Sequence, residues 1–171
     1  MSAAANNLPA DARLDEVRIA ANAVTDPEIP VLTLADLGII RTIAWGADGA
    51  PEITITPTYS GCPAMQVIEL DLQTALAQAG FPDARVVTVL SPAWTTDWMS
   101  PAGREKLRAY GIAPPPQSSS QRGLFGEDDT PPCPQCGSQH TEKISEFGST
   151  ACKSLWRCKT CLEPFDAFKC I

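Results

Sequence analysis

The chain has 171 residues and a mass of 18.2 kDa, room for one ordinary domain or for a small domain plus a smaller stapled one. Hydrophobic residues make up 44% and charged residues 19%, which excludes a wholly disordered chain, and no apolar run approaches the roughly 20 residues needed to cross a bilayer. Thirteen Lys and Arg against twenty Asp and Glu give a net charge of −7, with no basic excess in residues 1–113 or 114–171, so nucleic acid is a poor candidate partner.

The first residues, MSAAANNLPADARLDEV, have neither a basic nor an apolar leader pattern, which leads us to expect a cytoplasmic protein. Leu14, Val17, Ala21 and Val24 then recur at helical spacing, ending before Asp26-Pro27. The segment Ile39 to Trp45 reads as a strand. The turn Gly46-Ala47-Asp48-Gly49 leads into Glu52-Ile53-Thr54-Ile55-Thr56, which alternates with period two, so the two runs predict a hairpin. Ser60-Gly61-Cys62-Pro63 opens a second helix, with Met65, Ile68, Leu72, Ala75, Leu76 and Ala79 on its inner face and Gly80 as its stop. Val86 to Leu90 reads as a buried strand, parallel to its predecessor through a right-handed crossover. Ser100-Pro101 caps a third helix, Ala102 to Tyr110, ended by Gly111.

The fold class is therefore α+β: an α-β-β-α-β-α domain with a three-stranded sheet and helices mainly on one face, followed by a C-terminal β zinc ribbon. A Pro/Ser-rich stretch sets the boundaries at 1–112 for the first domain, 113–131 for a linker and 132–171 for the ribbon. A module of about 40 residues usually needs a metal or disulfide to fold.

Four sites carry candidate chemistry. Cys133-Pro134-Gln135-Cys136-Gly137 and Cys158-Lys159-Thr160-Cys161 are two C-x2-C pairs with the spacing of a four-thiolate zinc site. Gly137 suits the positive φ of such a knuckle. Iron suits the same donors, but the second knuckle lacks the Pro and Gly of an iron-carrying pair, so one structural zinc is expected. Cys152 and Cys170 lie outside the quartet, either as packed small hydrophobes or as an alternative ligand pair.

Cys62 is the second site. At a helix N-terminus its pKa is expected to fall, which suits a thiolate that binds soft metal; the alternative is a purely structural cysteine. The one histidine, His140, is in the ribbon, so Cys62 lacks the usual base for acyl transfer and no catalytic residue is assigned. The third site is the loop with Asp26, Glu28 and Asp36: solvated acids of an ordinary connection, or hard ligands and partner contacts near Cys62. The fourth is Trp94, Trp98 and Met99, either a roof on the core or a protein-docking patch.

DPEIPVLTLADLGII, TPTYSGCPA, SPAWTTDWMSPAGREKLRAYGIAPP and the Cys-rich tail together resemble the PaaD branch of the SufT-like iron–sulfur maturation family, over about residues 13–114 and 131–170. The resemblance implies a non-catalytic accessory of the phenylacetyl-CoA 1,2-epoxidase system of aerobic phenylacetate degradation. Its implied partners are the reductase and oxygenase subunits or iron–sulfur carriers, and its implied cargo is iron or a transient Fe–S cluster. Asp26 and Glu28 match the family's DPE loop, and Cys62 its single reactive cysteine. Since one thiolate cannot hold a cluster alone, a homodimer with a second Cys62 is one way to complete the site. Two other readings remain: a component of the assembled epoxidase acting during turnover, and a zinc-ribbon interaction adaptor.

Overall fold

The computed structural model describes residues 10–59, 61–115 and 130–169. The chain forms two compact units, Met1–Trp94 and Thr95–Ile171. Composition places the boundary later, at 112/113. The third helix instead groups with the C-terminal half because the strand that follows it pairs with the last strand of the chain. Residues 116–129 of the expected linker lie outside the described residues.

In the first unit, α1 (Ala10–Asn22) leads through a short α2 (Leu34–Leu37) to β1 (Ile40–Trp45), β2 (Pro51–Ile55), α3 (Met65–Gln78) and β3 (Arg85–Thr88). The sheet order is β1-β2-β3, with β1–β2 antiparallel and β2–β3 parallel in the register Ile53↔Val86. The hairpin and the parallel pairing of β2 with β3 are those the sequence predicts. Val17, Ala21, Ile53, Ile55, Ile68, Leu72 and Leu76 are fully buried. Each large aliphatic side chain among them contributes about 1.5–3 kcal/mol by leaving water. The third strand departs from expectation. It lies at the sheet edge, so Val87 is exposed rather than buried.

This topology sets where loops meet. In a parallel β2-α3-β3 unit, the C-terminal ends of both strands and the N-terminus of the helix share one end of the sheet. Because β1 runs antiparallel to β2, the chain entering β1 arrives at that end too. The Asp26 loop and the Cys62 loop are thereby brought to the same edge.

The second unit starts with a 3-10 turn (Thr96–Trp98) and α4 (Pro101–Ala109), then builds β4 (Ile112–Ala113), β5 (Thr141–Ser145), β6 (Lys153–Cys158) and β7 (Pro164–Phe168). The Ser100 hydroxyl accepts from the Gly103 N–H at 2.9 Å, and Gly111 ends the helix at φ 90°. The sheet order is β4-β7-β6-β5. Ala113, Cys133, Trp156, Cys158, Phe165 and Ala167 form its core. The Arg104 guanidinium, also buried, donates to the carbonyls of Thr96 and Pro115 and so ties both ends of α4 to the chain around it.

Candidate metal centre and carboxylate–thiol site

Cys133, Cys136, Cys158 and Cys161 converge, with all four sulfurs within 4.8 Å of one another. Cys133 Sγ lies 3.7 Å from Cys161 Sγ, and Cys136 Sγ 3.6 Å from Cys158 Sγ. A tetrahedron of sulfurs about 2.3 Å from a zinc ion has edges of about 3.8 Å, close to these two separations, so the donor set suits that ion.

The two knuckles are built alike. The Cys133 N–H donates to the Ser138 carbonyl and the Cys158 N–H to the Glu163 carbonyl, both at 2.9 Å. The fifth residue of each turn has positive φ: Gly137 at 74°, as the sequence predicts, and Leu162 at 65°, which it does not. The N–H groups of Cys161 and Thr160 point at Cys158 Sγ, at 3.4 and 3.3 Å, and hold that thiol down to about 6. A thiol already inclined to ionise is a ready metal ligand.

Cys152 stands apart. It is buried, 3.0 Å from the Thr150 hydroxyl, at the opposite end of β6 from Cys158. Six residues of strand separate the two by roughly 20 Å, so Cys152 packs the sheet and does not reach the quartet. Cys170 lies outside the described residues.

In the first unit, the Asp26 carboxylate accepts from the N–H groups of Glu28 and Ile29, both at 2.8 Å, and closes a tight turn anchored by buried Ile29 and Leu32. Asp36 has a different task. Its carboxylate accepts from the Thr33 N–H and hydroxyl, both at 3.0 Å, in a capping box for α2. The ordinary structural reading therefore holds for Asp36, while Asp26 and Glu28 are close enough to Cys62 for their charges to act on it.

Cys62 is half-buried, and α3 begins at Met65 with Ala64 as its N-cap, slightly later than the sequence suggests. The Met65 N–H donates to the Cys62 carbonyl at 3.3 Å, and the N–H groups of Ala64 and Met65 act to lower the thiol pKa, as a helix start should. The outcome is nevertheless the reverse of the expected lowering. Burial pushes the thiol up, the Ala64 N–H opposes this, and the carboxylates of Glu28 and Asp26 push it up further. Burial and two anions beside the sulfur outweigh the helix terminus.

Trp94 is buried and donates from Nε1 to the Leu37 carbonyl at 2.8 Å, and Met99 is buried too. Trp98 is half-buried, so these side chains roof cores rather than form an exposed patch.

Comparison with known proteins agrees with this construction. Residues 14–91 match the iron-sulfur cluster assembly protein family, and residues 117–169 match the PaaD zinc beta ribbon domain. Over 86% of its length the chain is 53% identical to a protein of Escherichia coli (strain K12) named as a component of 1,2-phenylacetyl-CoA epoxidase, covering 87% of that protein. The chain belongs to the PaaD family. A second relative, named as an Fe-S protein maturation auxiliary factor of Porphyromonas gingivalis (strain ATCC BAA-308 / W83), is 37% identical over 45% of this chain and 73% of its own. The first unit also resembles a solved domain of unknown function, DUF59, from Bacillus anthracis, with TM-score 0.51 and 26% identity over 57% of this chain and 92% of that one. PaaD membership thus accounts for both halves in one order: an iron–sulfur assembly domain, then a ribbon with a four-cysteine metal group. Among the described residues, no helix is long and apolar enough to cross a membrane.

Proposed function

We propose that this chain is a non-catalytic accessory of a phenylacetyl-CoA 1,2-epoxidase system that delivers iron or an Fe–S cluster to the reductase or oxygenase subunits. Cys62 is the transfer ligand, Glu28 and Asp26 are its hard-donor neighbours, and the Cys133, Cys136, Cys158 and Cys161 quartet holds one structural zinc ion. The observation that carries this reading is the meeting of the Cys62 loop and the Asp26–Glu28 turn at one end of the sheet, where burial and both carboxylates hold the thiol up. Such a group stays protonated while empty, and a cation reverses the electrostatics: it neutralises the anions and releases the thiol proton on binding. One thiolate cannot keep a cluster, so the remaining ligands come from the receiving polypeptide. An incomplete coordination sphere suits cargo that must leave.

The relatives' names support both parts of the reading, one naming an epoxidase component and the other a maturation factor. The test is to replace the chromosomal copy with Cys62→Ser and isolate the reductase and oxygenase for iron and acid-labile sulfide analysis. Metal-poor client protein with normal amounts of polypeptide is expected. Fully loaded client would end the proposal.

A further inference from the structure

The end of the first unit that holds Cys62 gathers exposed apolar side chains, while elsewhere in the unit Ile19 on α1 and Val87 on β3 are exposed singly. On α3, Val67 and Leu70 lie one turn apart, opposite the buried Ile68-Leu72 stripe, and are 45% and 61% exposed. The Thr88 hydroxyl donates to Glu69 Oε1 at 2.7 Å, which ties the first turns of α3 to the C-terminal end of β3. Leu90, just beyond that tie, is 61% exposed. Three large apolar side chains thus face outward at the edge where the two site loops meet.

The charge around them is mostly negative. Residues 1–94 contain four arginines and no lysine against eleven Asp and Glu, whereas residues 95–171 contain nine basic and nine acidic residues. Glu28, Glu69 and Asp71 belong to the loop and helix of this end. The arginines are mostly placed elsewhere. Arg85 pairs with Asp48 of the hairpin turn at the far end, Arg13 lies over Trp45 and Phe81 at that same far end, and Arg18 pairs with Asp15 on α1. Arg41, at the start of β1, is the exception.

We propose that Val67, Leu70 and Leu90, bordered by Glu28, Glu69 and Asp71, form a docking surface for a different protein whose contact area is apolar and ringed by Lys and Arg. The inference rests on the transfer reading, because it places the receiving polypeptide against Cys62. A second copy of this chain is a poor occupant, since two such faces would bring like charges together. A basic rim gains from the same field, and the apolar centre supplies contact that salt does not screen.

The experiment titrates the full-length, zinc-loaded protein with the purified reductase and, separately, the oxygenase subunits of its own epoxidase, over a series of salt concentrations. One of the two should bind, more weakly as salt rises. Leu70→Lys should raise Kd about tenfold or more, as loss of an interface anchor does. Ala47→Lys makes the same charge change on an exposed residue of the hairpin turn. It should leave Kd within about twofold, because a rim charge away from the contact is nearly neutral. Absence of binding, salt-independent binding, or equal weakening by the two variants would overturn the proposal. So would a dimer of the chain alone that Leu70→Lys dissolves, since a second copy would then own this face. Normal docking together with a fully loaded client in the Cys62→Ser strain would defeat the transfer role and leave the surface standing.

Discussion

The two units gather sulfur differently. In the ribbon, four thiols share one centre, Cys158 is drawn down to about 6 while Cys161 is pushed up to about 12, and two of the ligands lie within the core. In the first unit a single thiol stands against carboxylates that push it up. The lesson is one of coordination number. A filled tetrahedron retains its ion and turns binding energy into folding energy, whereas a one-sulfur site with charged neighbours binds only while another molecule completes it.

The largest expected effect follows from that contrast. Removing zinc with a chelator, or replacing Cys158 with Ser, should unfold the ribbon, because structural zinc binding is worth on the order of 10 kcal/mol in small modules. The first unit has an aliphatic core of its own and should stay folded. Circular dichroism and hydrogen exchange on zinc-loaded and stripped protein would measure this. Protection lost in the second unit, β4 with its partner β7 included, and kept in the first is the expected pattern. Loss of protection in α3 and β2 as well would break the comparison.

How legible these sites were depended on how local their causes are. The quartet is written in two C-x2-C turns, whose short loops fix the geometry of each pair. The β2-α3-β3 crossover is equally plain, since Ile53 and Ile55 alternate and Ile68, Leu72 and Leu76 keep helical spacing. The sign of the Cys62 shift was not legible, because it depends on burial and on Glu28 and Asp26, carried in by a distant loop. Neither was the unit boundary. The two-residue β4 pairs in parallel with β7, and PFDAF is too short and irregular to announce itself as a strand. Val67 and Leu70 come to the same end of the sheet as Leu90 only once the crossover is folded; their offset from the buried stripe around the helix was the available signal.

A second prediction sharpens the electrostatic half of the comparison. With its thiol raised, Cys62 should react with iodoacetamide more slowly at neutral pH than an unperturbed cysteine, since only the thiolate attacks. Glu28→Gln removes one anion, lowers the thiol pKa and enlarges the thiolate fraction at any fixed pH below it. Alkylation of Cys62, followed by peptide mass spectrometry, should therefore become severalfold faster. The gain should shrink as added salt screens the charge in the wild type. An unchanged or slower rate would mean that Glu28 does not act on the sulfur.

The smallest effect lies inside the ribbon, where its two knuckles can be compared with each other. Both turns need a residue with positive φ after the second cysteine, and the chain supplies Gly137 in one and Leu162 in the other. A side chain in the left-handed region costs roughly 1–2 kcal/mol, while glycine loses about 0.5–1 kcal/mol more backbone freedom on folding. Leu162 is 69% exposed, so little packing offsets its strain. Leu162→Gly should accordingly stabilise the zinc-loaded ribbon by about 0.5 kcal/mol, the difference between those two costs. Thermal melts of the holo protein would show a small upward shift. Gly137→Leu should shift the melt downward by a similar amount, since nothing lies within 4 Å of its added Cβ and conformation alone is being tested.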